Sequence, residues 1–397
     1  MSAQTNGVVV VGAGLGAIRL AENLRNDGYE GPITLIGAEP YAPYDRPPLS
    51  KSVLLGKDDR VDLKPDEFYE SANITLRLGA PVTAVDPGAK TVTVDGETVG
   101  YDTLVLATGL IPRAFPGAEN LAGVHTLRTV DDAHALRGEI DAATTAVVIG
   151  AGFIGCEVAA SLTDRGVAVA LVEPAPTPLA ASLGTEIGDL VTRMHAANGV
   201  DVHLGVGVAE ILADDGRVRG VRLADGTELP ADIVVVGIGS IPVTDFLEGS
   251  GIALAGRSDG GGIACDENGR TSAPDVWAIG DVANWLDAHG KPTRVEHWNN
   301  TVEQASVAAR DITGTPGEPI TSAVPYFWSD QFAVKFQVLG HPRADDTVHI
   351  VSDDGTKFLA YYSRDGILTA VVGAGKAGPV MKSRPRLQTP TPVADLL

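Results

Sequence analysis

An α/β fold with two Rossmann-like dinucleotide-binding domains, followed by a small C-terminal α+β domain built on an antiparallel sheet, is predicted by three features of the sequence. A strand, a glycine-rich turn, a helix and a second strand ending near an acid follow one another from Gly7 to Glu39. The same succession recurs from Ala146 to Glu173. From Val324 the pattern changes to short alternating segments joined by Asp354-Gly355 and Asp365-Gly366, dipeptides that favour tight hairpins.

The central unit organises the chain. Its apolar run Val147, Val148, Ile149 stops at Gly150, and Gly150, Gly152 and Gly155 give G-x-G-x-x-G directly before a helical pattern. In such a turn the first glycine tolerates unusual φ and the second lets a pyrophosphate approach the backbone. The third lets helix and strand pack closely, and the phosphate sits at the positive helix N-terminus. Glu173 ends the second strand, Val167 to Val172, 18 residues beyond Gly155, where an acid binds a ribose 2′-hydroxyl. A 2′-phosphate calls for a nearby cation, yet Pro174 to Thr192 holds no Lys or Arg, so the nicotinamide cofactor reads as NADH and not NADPH.

The N-terminal unit repeats this arrangement with strand Val8 to Val11, glycines Gly12, Gly14 and Gly16, helix Ala17 to Arg25, strand Ile33 to Ile36 and then Glu39. Ala17 takes the third glycine position, which the G/A form allows, and Glu39 follows 22 residues later. Two dinucleotide sites in one chain point to a flavin and a nicotinamide, because hydride transfer needs both rings face to face.

Next comes DRPPLSK, Asp45 to Lys51, where Pro47 and Pro48 predict a stiff extended turn fixing Arg46 and Lys51 on either side. Two cations on a rigid loop beside the first site suggest a flavin contact; the alternative is a solvated surface turn. DTLVLATG (Asp102 to Gly109, with Ala107 and Thr108) and DIVVVGIG (Asp232 to Gly239) read as buried parallel strands ending in glycine turns, followed by Ile111-Pro112 and Ile241-Pro242. This punctuation brackets an inserted domain, with divisions at 1–112 plus 243–320, 113–242 and 321–397. The first domain resumes with VWAIGD, Val276 to Asp281, whose Gly280 and Asp281 lie at a strand end suited to cofactor hydroxyls.

Glu296 to Asn300 then leads into a helix with Val302, Ala305, Ala309 and Ile312 at helical spacing. If that helix N-terminus faces a flavin, its dipole stabilises the anionic reduced ring; His297 is given no role. In the last domain, strands are expected over Ala333 to Leu339, Val348 to Val351, Phe358 to Tyr362 and Leu368 to Val372, with Tyr326, Phe327 and Trp328 as an aromatic cluster before them.

Composition narrows the function classes. With 397 residues, 44% hydrophobic, the chain suffices for two or three domains. Cys156 and Cys265 make neither a disulfide framework nor a CxxC pair, which points to a reduced, cytoplasmic compartment, with Cys156 a small packed residue. The start, MSAQTNG, has no basic region and no apolar run is long enough for a membrane span, so a soluble, untargeted chain is expected. A net charge of −21 argues against nucleic acid and anionic membranes. From Gly290 onward 11 Lys+Arg balance 11 Asp+Glu, so the whole excess lies before it. Lys376, Lys382, Arg384 and Arg386 stand together without an acid, as a basic patch or a solvated tail. No metal ligand set is read.

The ordered set GAGLGA, PYDRPPLSK, LVLATG, LRTVDDA, VVIGAGFIGCEVA, VVVGIGSIP, AIGDVA and FWSDQF resembles the FAD-dependent, NADH-dependent ferredoxin reductases that serve bacterial cytochrome P450 or Rieske oxygenase systems, across almost the whole chain. The resemblance implies a glutathione-reductase-like arrangement in which the first unit binds FAD, the second binds NADH and the third domain helps form a docking face for a small iron-sulfur ferredoxin, of 2Fe-2S type. It implies FAD contacts at Gly12, Gly14, Leu15, Gly16, Glu39, Arg46, Lys51, Val82, Ala107, Thr108, Arg128, Gly280, Asp281 and Trp298. NADH contacts are implied at Gly150, Gly152, Ile154, Gly155, Glu173 and Gly239. Lys51, Glu157 and Trp328 are implied as catalytic, Glu157 near the nicotinamide and Trp328 against the flavin. The sequence departs from the family at Val380 to Leu397, which reads as a short proline-rich tail where a longer helical one is usual. Without a CxxC, glutathione- or thioredoxin-type chemistry is excluded. An NADH oxidase or other flavin-dependent NADH reductase, or an NADH-sensing flavoprotein, is the alternative that turnover with added ferredoxin separates.

Overall fold

A computed structural model describes residues 7–287, 289–316 and 324–397; the expected boundary at 320/321 and residues 1–6 lie outside them. Its helices are α1 (Leu15–Asn26), α2 (Asp66–Ser71), α3 (Val130–Ile140), α4 (Phe153–Asp164), α5 (Ala180–Ala197), α6 (Trp298–Thr313), α7 (Ala377–Lys382) and α8 (Arg384–Leu387). By internal contacts the chain divides into two units: Met1–Asp45, Val61–Ile111 and Ile241–Ala323 form one, and Arg46–Arg60, Pro112–Ser240 and Val324–Leu397 the other.

The first unit carries a five-stranded parallel sheet in the order Val276–Ala278, Thr103–Leu106, Val8–Val11, Ile33–Ile36, Ile74–Arg77. Val8–Val11 and Ile33–Ile36 are buried along their whole length. Their apolar residues therefore run continuously instead of alternating, as expected where a parallel sheet is covered on both faces. The second unit repeats the plan with Asp201–Leu204, Ala168–Glu173, Thr145–Ile149, Ile233–Val236 and Val124–His125, again all parallel.

Each unit also holds a three-stranded antiparallel sheet that the sequence reading did not anticipate, over Val82–Asp86, Thr91–Val94 and Glu97–Gly100, and over Val208–Asp214, Arg217–Leu223 and Glu228–Pro230. Asp95-Gly96 turns the first, with φ of 52° and 76°, and Asp215-Gly216 the second, with φ of 50° and 79°. Two successive positive φ values mark the hairpin turn whose twist matches that of the strands, the same signal that was read at Asp365-Gly366.

The second unit differs in content from the middle segment expected on sequence grounds. Leu54 is buried in the same core as α4 and α5, and Arg137 and Arg165 donate to the carbonyls of Val53, Asp58 and Leu54. These contacts bind residues 46–60 to it. The C-terminal sheet shares that core too. Its order is Tyr326–Gln331, Val334–Gly340, Ile367–Ala374, Phe358–Arg364, Thr347–Asp353, all antiparallel. The aromatic cluster at Tyr326 is thus an additional strand. Along Phe358–Arg364 the residues Phe358, Ala360 and Tyr362 pack on the α4 and α5 side, while Leu359 and Tyr361 join Val371, Val380 and Val393 on the other. The Tyr362 hydroxyl donates to the Leu183 carbonyl at 2.6 Å, where α5 breaks at Gly184 (φ 77°).

Two local expectations are corrected. Residues from Val380 onward are not merely a proline-rich tail: α7, α8 and a 3₁₀ turn at Val393–Asp395 cover the outer face of the sheet, with Val380 0% exposed. Burying one valine of that kind stabilises by roughly 1.5–3 kcal/mol, which is why the segment folds back. Pro47 and Pro48 do not impose an extended turn either. Pro47–Ser50 is a 3₁₀ helix preceded by Arg46 in the right-handed region, because prolines at the first helical positions lack only N–H groups that would have had no partner. Among the described residues no helix is long and apolar enough to cross a membrane.

Candidate functional site

The two glycine-rich turns have matching geometry. Gly12 (φ 111°) lies so close to the next strand that a Cβ would stand 2.2 Å from the Ala107 carbonyl oxygen; at Gly150 (φ 98°) it would stand 2.3 Å from that of Gly237. A Cβ on Gly155 would come within 2.0 Å of the Gly150 oxygen, so only glycine lets α4 start this close to its strand. The middle glycines are the reverse case. Nothing lies within 4 Å of where a Cβ would be at Gly14 or Gly152, the N-cap residues of α1 and α4.

Both helices begin without a side-chain cap and without an acid in the first turn. In α3, by contrast, Thr129 and Asp132 form a complete capping box. Two helix N-termini with open space before them, each starting at a glycine turn that no larger residue would fit, suit phosphate oxygens of a dinucleotide. Ile154 in the first turn of α4 is 50% exposed and Ile238 is 38% exposed, apolar surfaces of the kind that meet a flat ring, with Gly239 (φ 98°) beside them.

The expected acids are placed by their strands. Glu173 reaches back to the turn, accepting from the Ala151 N–H at 2.7 Å and from the Ala175 N–H at 2.9 Å. Glu39 accepts a short hydrogen bond from the Tyr44 hydroxyl.

Around the first turn the structure brings together residues distant in sequence. A Cβ on Gly16 would touch Thr301 of α6 and Ile279, and the Gly280 N–H donates to Gln304 of α6 at 2.7 Å. Arg294 donates to the Asp281 carbonyl at 3.0 Å, and the Trp298 indole N–H, at the start of α6, donates to Asp45 at 2.9 Å. Thr108 donates to the Val243 carbonyl at 2.8 Å. Ala107, Thr108, Gly280, Asp281 and the α6 N-terminus thus border one turn. Val82 stands at the start of the three-stranded sheet, packed on the first unit's core, with Val94 across from it.

In the second unit a buried carboxylate organises a separate group. Glu157 of α4 is 3% exposed. Its Oε2 accepts from Lys51 Nζ at 2.7 Å and from Ser50 Oγ at 2.6 Å. Its Oε1 accepts from Ser329 Oγ at 2.7 Å and from the Asp330 N–H at 3.3 Å. The 3₁₀ turn at Pro47–Ser50 delivers Ser50 and Lys51 to this point, Ser161 of α4 holding it by a 2.6 Å bond to the Ser50 carbonyl. Arg46 donates to the Arg128 carbonyl at 2.5 Å. Trp328, next to Ser329, stacks on Tyr326 with ring centroids 6.1 Å apart and planes at 22°.

A family model for pyridine nucleotide-disulphide oxidoreductases matches residues 6–310, and one for a reductase C-terminal domain matches residues 326–395. The chain belongs to the pyridine nucleotide-disulphide oxidoreductase family. It is 38% identical to a ferredoxin–NAD(P)(+) reductase of a Sphingomonas species, over 92% of this chain and 88% of that one. It is 38% identical to rhodocoxin reductase of Rhodococcus erythropolis, over 97% and 90%. Its fold is similar to that of the reductase in a covalent putidaredoxin reductase–putidaredoxin complex, with TM-score 0.91, 31% identity and coverage of 98% and 95%. Members of this family hold FAD and use NAD(P)H, so this chain is an oxidoreductase with both cofactors, on the fold expected from its sequence. The chain's two cysteines form no disulfide with one another. Cys156 and Cys265 are both buried, in different units, and burial pushes each thiol pKa upward.

Ser50, Ser329, Gln331 and His195 were not singled out on sequence grounds. Ser50 and Ser329 lie inside the motifs DRPPLSK and FWSDQF, the one signal available. Their common partner, Glu157, is 107 and 172 residues away.

Proposed function

We propose that the protein is an NADH-dependent ferredoxin reductase, passing electrons from NADH through FAD to a small iron-sulfur ferredoxin of 2Fe-2S type that feeds a cytochrome P450 or Rieske oxygenase. The observation that carries this reading is the pair of uncapped, open glycine turns, one per unit, each followed by an acid. Bound FAD supplies the step this chain's side chains cannot perform, accepting a hydride and releasing electrons one at a time.

The residues take these parts. In the first unit Gly12, Gly14, Leu15 and Gly16 hold the FAD pyrophosphate and Glu39 its ribose, with Ala107, Thr108, Gly280, Asp281, Val82 and Trp298 as further FAD contacts; Arg46 and Arg128 of the second unit are assigned to FAD by the family resemblance alone. Gly150, Gly152, Ile154 and Gly155 hold NADH, with Gly239 beside them. Glu173 takes the ribose 2′-hydroxyl and disfavours a 2′-phosphate by charge. Lys51, fixed by Glu157, and Trp328 are the second unit's candidates for a part in FAD reduction. Functionally the chain then comprises an FAD-binding part (1–112 and 243–320), an NADH-binding part (113–242) and a C-terminal interface part (321–397), working in the cytoplasm.

The test is anaerobic. Stoichiometric NADH should bleach bound FAD, and oxidised 2Fe-2S ferredoxin should then restore its colour. FAD that NADH reduces but only oxygen or a quinone reoxidises would instead favour an NADH oxidase, and slow reduction without turnover would favour a sensing flavoprotein.

A further inference from the structure

The strand Tyr326–Gln331 is attached to the nucleotide-binding part of the second unit through the side chains of one face. Phe327 meets Phe153 of α4 edge to face, with ring centroids 5.0 Å apart. Two residues on, Ser329 donates to Glu157. Two further, Gln331 faces His195 of α5, with 3.1 Å between Oε1 and Nε2. Strand alternation places these three on one face and Tyr326 and Trp328 on the other. Ser329, Gln331 and His195 are each 0% exposed.

The hydrogen bonds run in one direction. Gln331 Nε2 donates to Ser329 Oγ at 3.3 Å, so Oε1 is the atom turned to His195, and the imidazole donates from Nε2. Ser329 accepts from Gln331 and donates its own hydroxyl hydrogen bond to Glu157. Lys51 and Ser50 donate to the other carboxylate oxygen. Every group in the chain turns a positive end toward one carboxylate. His195 Nδ1 is left as a buried acceptor without a partner, which a neutral imidazole tolerates and a charged one does not.

We propose that His195, Gln331, Ser329 and Glu157 form a buried register lock, and that Ser329 and Gln331 are positioning residues acting through Glu157 on Lys51 and, along the strand, on Trp328. A slip of one residue would turn Trp328 toward Glu157 and Ser329 away, so the polar contacts admit one register only. The lock stands on the geometry alone; its effect on the reaction rests on the proposed roles of Lys51 and Trp328.

The test uses the FAD-loaded protein in four forms: wild type, Ser329→Ala, Glu157→Met and the double variant. Two quantities are read, deuterium uptake by backbone residues 326–332 and the rate at which NADH reduces bound FAD. Ser329→Ala should raise uptake and slow reduction about tenfold, as loss of one charge-assisted bond to a buried carboxylate implies, with KM for NADH within about twofold of wild type. In the Glu157→Met background the same change should add less than about twofold to either quantity, because the partner is gone. Gln331→Met keeps the volume, loses both hydrogen bonds and should shift uptake in the same direction.

Wild-type uptake in Ser329→Ala, or fully additive effects in the double variant, overturn the lock. Raised uptake with wild-type FAD reduction in Ser329→Ala overturns the positioning role. In that case Glu157→Met separates the causes: slowed reduction there leaves the Lys51–Glu157 reading intact, and normal reduction removes it as well.

Discussion

Glu157 concentrates the residue-scale argument, since four donors converge on a side chain that water barely reaches. Removing its charge leaves the Lys51 amine, 19% exposed, without its counter-ion and two hydroxyls without their acceptor. Glu157→Leu is therefore expected to lower the unfolding free energy by about 3–5 kcal/mol, read by denaturant titration. A loss under about 1 kcal/mol would mean that the cluster contributes little to folding. Burial also lowers the pKa of His195, against the Gln331 bond, and of His125, against Glu139. Folding disfavours the charged form of both, whereas the unfolded chain takes up protons near pH 6.5. Stability is thus fully present above that pH and lost as pH falls below it. Between about pH 7 and 5 the slope of unfolding free energy should be smaller in His195→Asn than in wild type. For Glu173, Glu173→Ala should raise KM for NADH more than it changes kcat and narrow the preference over NADPH. Equal wild-type efficiency with both cofactors would remove the proposed role.

At the scale of elements, what was legible in the sequence is what is local. Gly150, Gly152, Gly155 and Glu173 are a few residues or one βαβ crossover apart, and so are Gly12, Gly14, Gly16 and Glu39; each turn has the geometry its spacing implies. The Asp95-Gly96 and Asp215-Gly216 hairpins carry the same signal as Asp365-Gly366, but Thr91–Val94 and Glu97–Gly100 are only four residues each and Val208–Asp214 does not alternate, so the flanking pattern is weak. Pro47-Pro48 misled, since proline fits the first turn of a 3₁₀ helix as well as an extended loop, and only packing against α4 decides between them. The basic run Lys376 to Arg386 shows the same limit. Arg384 donates to the Val324 carbonyl at 2.9 Å, while Lys382 and Arg386 are exposed. If this surface receives an acidic ferredoxin, Lys382→Gln with Arg386→Gln should raise KM for ferredoxin and flatten its salt dependence, leaving FAD reduction by NADH unchanged. Ferredoxin kinetics matching wild type across a salt series would place docking elsewhere.

For the whole molecule, two nucleotide-binding units in one chain fit an enzyme with two dinucleotide cofactors, and a net charge of −21 makes an acidic partner depend on a local exception to the overall field. Purified protein should be yellow with one FAD per chain, and a chain that takes up no FAD on reconstitution would remove the basis for everything downstream. The most direct measurement follows bound FAD by stopped-flow absorbance under anaerobic conditions, first with one equivalent of NADH and then with oxidised 2Fe-2S ferredoxin. The expected result is rapid bleaching by NADH, much slower bleaching by NADPH, and recovery of the oxidised flavin spectrum as ferredoxin is reduced. FAD that NADH leaves oxidised, or reduced FAD that ferredoxin leaves unchanged, would contradict the account.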